Sequence, residues 1–492
     1  MKLLNRSLYD VKAMMSFAGG FVGIAILERL LMGNGFACVT LIALMALFRN
    51  RVEKMFYWIL MLLALMMANA NIIPKSISFY VAQRVMMVLF AIVLMSTIFG
   101  RRSPPALAPM VTMMLYSVYM IVPSMLGWMP LISVLKLFLF SMVYLAYFGV
   151  ANKVMTSPRV SSRVVRGMFL GVASLYVVGS LFLIPFPALS QVSQEEYVKM
   201  LQSGADVVSL FTGLSVHSQC LGPLVATIST LLYADMAFNL RKFDKFYVLL
   251  MALCPILLVR SSSRAGMLAY LVGHLTVTWL LFQARQVRGQ WRGKIIGAVL
   301  SILTVLALAV LFVPKYRDAM TRFAMKTSAE ETRAADFSME RAMSSRQGLM
   351  DDALSNFKKS PMIGNGFQVS ASMQGMRDVP LVRLLSAPVE KGVWVTAVLE
   401  EGGVLGALLL LIFIINATVG MMRHRAYSGL SIFAALLAAN MGEFTMFSMS
   451  ALGGFLWGMV FVGIALDGTC SREARSMRDA AQRTPVWVGW GR

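Results

Sequence analysis

The stretch "VRSSSRAGMLAYLVGHL", Val259–Leu275, places two arginines among three serines at the head of a long apolar run. Arg260 and Arg264 are four residues apart, so they would share a face if one helix contained both. The apolar run continues to residue 283 and reaches the ~20 residues that a helix needs to cross a bilayer. The stretch therefore predicts a membrane helix that begins with fixed positive charges.

Apolar runs of this kind recur along the whole chain of 492 residues. Hydrophobic residues make up 58% of the sequence and charged residues 14%, whereas soluble globular proteins carry about 25% charged residues. We predict an all-α polytopic membrane protein with about 12 to 14 transmembrane helices. The predicted spans are 12–31, 34–48, 55–73, 78–99, 105–127, 130–150, 167–187, 206–234, 246–260, 263–283, 294–314, 393–418, 427–447 and 449–467. No removable signal peptide is expected, because no small-residue cleavage site follows the first apolar segment.

The distribution of charge predicts the orientation of the chain. A net charge of +22 would suggest nucleic-acid binding in a soluble protein. Here more than half of the 45 lysines and arginines fall in alternate loops, as the positive-inside rule requires. Both termini are therefore predicted to be cytoplasmic. The four cysteines and three histidines show no metal or redox spacing, so no metal site is expected.

One outer loop is much longer than the others. Its 78 residues contain twelve Lys or Arg and nine Asp or Glu, and a loop of this length is usually functional or disordered. The segment "SSRQGLMDDALSNFKKSP" within it predicts an amphipathic helix that begins at Ser344 or Ser345. The predicted domains are an N-terminal bundle of about eleven spans (1–314), the large periplasmic loop (315–392), three C-terminal spans (393–467) and a cytoplasmic tail (468–492).

Ionisable side chains at membrane depth are candidate functional groups, because each costs about 3 kcal/mol or more. Arg260 and Arg264, with Ser263 and a helix N-terminus beside them, suit the binding of a diphosphate. The alternative is that these arginines extend to the membrane interface without binding a ligand. Because the other short outer loops are poor in cations, we favour the binding site.

Two further segments supply candidates for substrate binding. His217 and Gln219 in "FTGLSVHSQCLGPLVA" are predicted to hydrogen-bond sugar hydroxyls, or else to form a capped helix start. In "PMIGNGF", Gly364 and Gly366 permit a tight turn whose N–H groups would cradle an anion. Arg346 precedes this turn and is either a ligand of the same anion or a solvated loop charge.

The segment "APVEKGVWVTAVLEEGGVLG" supplies the candidate base. Glu390 lies at the predicted water boundary, where a general base can reach a sugar hydroxyl. Lys391 would hold Glu390 ionised or bind phosphate itself. Glu401 lies two to three turns inside the following span, where we expect a structural carboxyl or one with a shifted pKa. The glycines after Glu401 would let another helix approach closely.

Four segments, in this order along the chain, resemble the O-antigen ligase and O-antigen polymerase superfamily. They cover roughly residues 205–415. Each motif is weak alone, and their order around a single large outer loop makes the combination fairly specific. The segments are "FTGLSVHSQCLG", "SSSRAGMLAYLV", "SRQGLMDDALSNFKKSPMIGNGF" and "VLEEGGVLG".

The resemblance implies a glycosyltransferase of the C-type class in the bacterial inner membrane. Such an enzyme takes a glycan from an undecaprenyl-diphosphate carrier and passes it to an acceptor hydroxyl at the periplasmic face. Its expected partners are the lipid-linked oligosaccharide, a glycan or lipid acceptor and membrane lipids, and it uses neither a cofactor nor a metal. By the same resemblance, Arg264 and Arg346 match the two arginines that hold the diphosphate.

The chain departs from the ligase pattern at one position. Ligases carry a histidine nine residues before the motif glutamate, and counting back from Glu401 gives Gly392. Glu390 or Lys391 would have to replace that base, which favours a polymerase slightly over a ligase. The alternative function is a transporter or flippase of a lipid-linked glycan. It predicts charges along a path through the whole membrane, whereas these candidates gather at one predicted face.

Overall fold

The computed structural model describes residues 9–31, 33–48, 50–74, 107–190, 211–240, 244–261, 263–283, 339–371, 391, 393–442, 446–447 and 451–483. Throughout these ranges the chain forms helices joined by turns, and one isolated bridge between Ala68 and Ser215 is the nearest approach to a strand. The helices are α1 (Val11–Leu30), α2 (Phe36–Leu47), α3 (Val52–Met67), α4 (Leu107–Leu126), α5 (Pro130–Thr156), α6 (Ser162–Phe182), α7 (Ser218–Ala234, continued by a π turn, Asp235–Asn239), α8 (Lys245–Ser261), α9 (Arg264–Gln283), α10 (Met339–Lys359), α11 (Trp394–Arg423), α12 (Tyr427–Ala439) and α13 (Ala451–Arg483), with a short turn at Pro187–Ser190.

The helices confirm the predicted all-α polytopic membrane fold. Seven described helices are long and apolar enough to cross a membrane, namely α1, α5, α6, α7 with its π turn, α9, α11 and α13. Part of α4 (Val111–Leu126) and the whole of α12 are shorter apolar helices. The predicted spans 78–99 and 294–314 lie outside the described residues.

Three predicted boundaries were wrong. Helix α7 begins at Ser218, about a dozen residues after the predicted start at 206, because Thr212 and Gly213 are held in a non-helical turn by the Asn69 amide. Helix α13 continues to Arg483, past the end of the predicted span 449–467. Its extension is held by Glu473, whose carboxylate accepts hydrogen bonds at the start of α6. In the large loop, α10 begins at Met339, several residues before the two predicted serines.

Contacts between helix ends define the two ends of the bundle. The "site end" is where the starts of α7, α9 and α11 and the end of α12 meet, and it is described below. The "opposite end" contains the starts of α6, α8 and α12 and the last turns of α13. There Asp467 of α13 accepts hydrogen bonds from the Ser428 hydroxyl and N–H at 2.7 and 2.8 Å. Helices α7, α9 and α11 therefore begin at the end of the bundle away from the starts of α6, α8 and α12.

A buried ion pair joins three helices at the opposite end. Arg166 Nε and Nη2 donate to the two carboxylate oxygens of Asp235 at 2.7 and 3.1 Å. The Tyr247 hydroxyl donates to the same carboxylate at 2.6 Å. Both charged side chains are almost completely buried, so each needs the other to offset the cost of leaving water. Asp235 is thus a structural carboxylate of the bundle, held by Arg166 and Tyr247.

Replacing Tyr247 by phenylalanine is expected to lower the free energy of unfolding by about 1.5–3 kcal/mol, the range for a hydrogen bond to a charged group. The phenol ring stays, so the change removes only the hydroxyl that donates to Asp235. Tyr233→Phe is the matched control, because its hydroxyl bonds to the neutral Thr278 hydroxyl. Thermal unfolding in detergent should show a larger decrease for Tyr247→Phe, and equal midpoints would contradict the structural role of the pair.

Candidate functional site

The starts of α7 and α9 lie in direct contact at the site end. A Cβ added at Gly222 would overlap the Ser263 side chain, and one added at Gly266 would overlap the Gly222 backbone. Glycine at both positions thus allows the two helices to approach closely. The Ser263 hydroxyl accepts a hydrogen bond from Gly266 N–H at 3.1 Å and lies 3.5 Å from the Gln219 carbonyl oxygen. The structure therefore brings together Ser263 and Gln219, which are far apart in sequence.

The two arginines of the opening stretch lie on different helices. Arg260 is in the last turn of α8, whereas Arg264 is the first residue of α9. The helix is interrupted between them, so the expectation that four-residue spacing puts them on one helix face was wrong. Arg260 is exposed and Arg264 is half-buried. Arg264 lies at a helix N-terminus, where backbone N–H groups and the helix dipole also favour an anion.

His217 caps the start of α7. Its Nδ1 accepts a hydrogen bond from the Gln219 N–H at 3.2 Å, and its backbone has the extended conformation of an N-cap residue. This geometry matches the alternative interpretation of a capped helix start. The Gln219 side chain is half-buried beside the same helix start.

Helix α11 is broken at Gly403, and the "glycine turn" (Pro361–Phe367) pairs with the break. Gly403 has φ 62° and ψ −165°. Because the helical hydrogen bonds stop there, Val404 N–H donates instead to the Pro361 carbonyl at 2.9 Å. In return, Asn365 N–H donates to the Glu400 carbonyl at 2.8 Å. Each segment thus satisfies backbone groups that the other leaves unpaired.

Glycines in both segments make this pairing possible. A Cβ at Gly364, which has φ 86°, would overlap the Glu401 carbonyl group, and a Cβ at Gly403 would overlap the Met362 carbonyl group. The N–H groups of Gly364 and Gly366 donate to the carbonyls of Ser360 and Glu401 at 2.9 and 3.1 Å. These N–H groups are already paired, so the geometry replaces the predicted anion cradle with a contact between the loop and α11.

Alanine at Gly364 or Gly403 is expected to destabilise the protein by several kcal/mol and to reduce activity. Each change puts a side chain at a positive φ and into a backbone carbonyl, which combines strain with overpacking, and each of these costs about 1–3 kcal/mol. Gly348→Ala is the control, since a Cβ there meets nothing within 4 Å. In the middle of α10 it should be neutral, or stabilising by up to about 1 kcal/mol. The three variants should be compared by thermal unfolding. Equal unfolding midpoints for all three would contradict the pairing.

A buried lysine forms ion pairs with two adjacent carboxylates just inside α11. Lys391 Nζ lies 3.2 Å from Glu400 Oε2 and 3.2 Å from Glu401 Oε1, and all three side chains are almost fully buried. The Asn356 amide also donates to Glu400 Oε1 at 3.0 Å. Lys391 is therefore engaged by these carboxylates, and the geometry does not support its predicted roles in binding phosphate or replacing the missing base. Glu401 has the structural surroundings that the sequence favoured.

Helix α10 of the large loop packs on α11. The amphipathic helix was predicted to lie either on the membrane surface or on the bundle, and here it packs on the bundle through the buried Ala353. Asp351 and Asp352 are exposed as expected, but Leu354, predicted to lie in the apolar stripe, is exposed too. Arg346 lies seven residues before Ala353 in the same helix. Glu390 and Gly392 lie outside the described residues.

Contacts with the end of α12 place the starts of α9 and α11 at the same end of the bundle. A Cβ at Gly442 would lie 2.9 Å from the Ala265 Cβ, next to Arg264. Two residues earlier, the Asn440 carbonyl accepts the Trp394 N–H of α11 at 3.2 Å. The starts of α9 and α11 therefore both contact the end of α12, at the same end of the bundle as Arg264.

Two residues that hold this end together are not among the candidates predicted from the sequence. The Tyr119 hydroxyl of α4 donates to the Gly402 carbonyl at 2.8 Å, beside the break in α11. Asn356 joins α10 to Glu400. Asn356 lies on the predicted loop helix, so a polar residue beside its apolar stripe was a usable signal. Tyr119 lies in an apolar span that carries no such signal.

Comparison with known families agrees with the resemblance. A family model described as O-antigen ligase matches residues 247–387, from the start of α8 through Arg264 and α10 to just before Glu390. No curated protein matches the chain. The match supports the O-antigen ligase and polymerase superfamily and, with the apolar helices, a multi-pass membrane glycosyltransferase of that type.

Proposed function

We propose that this chain transfers or polymerises a glycan from an undecaprenyl-diphosphate carrier onto an acceptor hydroxyl at the periplasmic face. The main support is that Arg264 begins α9 where α7 also begins, and that α11 begins at the same end of the bundle. Helix N-termini and a guanidinium both favour an anion, and a diphosphate is the leaving group of such a transfer. The family match covers Arg264 and Arg346.

The proposed reaction is a single displacement. Glu390 takes the proton of the acceptor hydroxyl, whose oxygen attacks the anomeric carbon of the donor sugar. The bond from that carbon to the diphosphate oxygen breaks, and the diphosphate leaves with the electron pair. Arg264 and Arg346 stabilise the charge that develops on it, with Arg260 assisting from the end of α8. One displacement inverts the configuration at the anomeric carbon, and the reaction needs neither a cofactor nor a metal.

The proposed orientation rests on where the cations lie. Basic residues crowd the opposite end, in the loops and helix ends that join the spans there. The positive-inside rule then makes the opposite end cytoplasmic. In this orientation the protein lies in the inner membrane, its site end faces the periplasm and both termini lie in the cytoplasm. Basic residues of the opposite end include Arg51, Lys54, Lys153, Arg159, Arg163, Lys245, Arg423, Arg425, Arg472, Arg475 and Arg478.

The glycan profile of a deletion strain tests the function. Single repeat units left on the lipid would identify a lost polymerase. A polymerase is slightly favoured, because Gly392 occupies the position of the ligase histidine. Carrier-bound polymer would identify a lost ligase instead. A reconstituted assay separates both from a transporter, because an enzyme transfers labelled glycan to acceptor without moving it between leaflets. Movement of the donor between leaflets without transfer would contradict the proposal.

Glu390→Gln is expected to reduce the rate of transfer by about 10²- to 10⁴-fold, the usual contribution of a general base. The amide keeps the size of the side chain and loses its ability to accept the proton. Asp351→Asn is the control, because it removes an exposed carboxylate from α10. The rate should be measured with purified donor and acceptor, and full activity of Glu390→Gln would assign the base to another group.

A further inference from the structure

A groove lies between α5, α11 and α13, away from the candidate catalytic residues. Its volume is about 490 Å³, within the range of about 300–1,000 Å³ that is typical of small-molecule sites. The rings of Tyr144, Trp457 and Phe461 close its deep part, and Ala417 and Ile464 line it. The mouth faces the opposite end, where Arg472 and Arg475 lie.

The wall that α13 contributes changes in polarity along its length. It runs from Trp457 through Ile464 to Gly468, and then to Ser471 and Arg475. The apolar part, from Trp457 to Leu466, spans ten residues and ends just before Asp467, which is about 15 Å of helix. That length matches one leaflet of a hydrocarbon core that is about 30 Å thick. The groove therefore has the depth and the polarity gradient of a single lipid in one leaflet.

The mouth of the groove carries positive charge. Arg475 and His424 are both exposed there. Arg472 donates to the carbonyls of Val154 and Met155 at 3.2 and 2.7 Å, and its guanidinium keeps its charge while it caps α5. The acidic group on the wall, Asp467, is bonded to Ser428 and Asn239. A phosphate at the mouth would thus meet two guanidinium groups.

We propose that this groove binds an anionic phospholipid, with an acyl chain between the aromatic walls and the phosphate at Arg475. A sugar or nucleotide would leave its polar groups unpaired in the deep part, where the wall is apolar. Basic pockets between transmembrane helices on the cytoplasmic side are known to bind anionic headgroups. The groove shares no residue with the proposed glycosyl-transfer site, so the two proposals stand or fall separately.

Native mass spectrometry of the full chain in detergent tests the proposal. Phosphatidylglycerol is the anionic probe, phosphatidylcholine the zwitterionic one and inorganic phosphate the headgroup alone. We expect retention of phosphatidylglycerol, weaker retention of phosphatidylcholine and no competition from phosphate. Arg475→Ala should weaken phosphatidylglycerol binding about fivefold, the effect of about 1 kcal/mol for one cation near a membrane surface.

Two further variants complete the experiment. Arg478→Ala removes an exposed cation of α13 that does not line the groove, so it should leave binding unchanged. Ala417→Phe fills the groove and should weaken binding of both lipids. Equal binding of the two lipids, equal effects of Arg475→Ala and Arg478→Ala, or competition by inorganic phosphate would each overturn the proposal. Arg475 is exposed, so its replacement tests the idea even if Ala417→Phe fails to fold.

Discussion

Replacing Arg264 by alanine is expected to lower glycan transfer by about 10²- to 10³-fold, the effect of removing one group that stabilises a developing negative charge. Arg264 begins α9 at the point where α7 and α9 meet. The helix N-termini would still attract the diphosphate, so donor binding should weaken less than the rate falls. Thermal stability should change little, because the half-buried side chain is not part of the apolar core.

The rate should be measured with purified lipid-linked donor, alongside complementation of a deletion strain. Arg264→Lys keeps the charge without the two-pronged geometry of a guanidinium and should recover only part of the rate. Arg260→Ala is the matched comparison, since this exposed arginine ends a different helix, and we expect a smaller loss. Complementation by Arg264→Ala equal to that of the wild-type chain would remove Arg264 from the mechanism.

Replacing Lys391 by methionine is expected to destabilise the protein by about 3–5 kcal/mol, the cost of leaving a buried charge without its partner. The variant would leave two buried carboxylates, Glu400 and Glu401, facing each other without the cation that lies 3.2 Å from both. Methionine keeps much of the length of the side chain, so the loss reports mainly on charge. We expect poor expression and a large decrease in the thermal midpoint.

Neutralising the carboxylates should restore stability. The triple variant Lys391→Met, Glu400→Gln, Glu401→Gln removes all three charges and should recover most of the loss, because buried ion pairs can be replaced by neutral groups at little cost. Lys358→Met is the control, since Lys358 is exposed on α10. A Lys391→Met protein as stable as the wild type would show that the carboxylates do not depend on Lys391.

Much of the fold was predictable because the apolar runs are long and the loops between them are charged. The start of α7 was missed because the Asn69 amide, 143 residues away from Thr212, fixes the chain before that helix. The end of α13 was missed for the same kind of reason, since Glu473 reaches back to Ser162. Contacts between residues distant in sequence leave no periodic signal.

The candidate site was predictable where a single segment carries its chemistry. The position of Ser263 and Arg264 at a helix start was predictable from the local sequence. The role of the glycine turn was misassigned, because a Gly-x-Gly pattern indicates close approach without naming the group that approaches. Its partners are the carbonyls of Glu400 and Glu401 on another helix, and no spacing rule connects the two segments.

The pairing of the glycine turn with the break in α11 has a consequence for protein engineering. A chimera that exchanges the large loop between two related proteins would normally be joined where the loop meets the next span, near residue 393. Here the backbone of the glycine turn is hydrogen-bonded to the backbone of α11 on both sides of Gly403. Each segment supplies one half of this pairing. A graft should therefore extend through residue 405, so that both halves come from the same parent. A junction at residue 393 would combine two parents within a single hydrogen-bonded element.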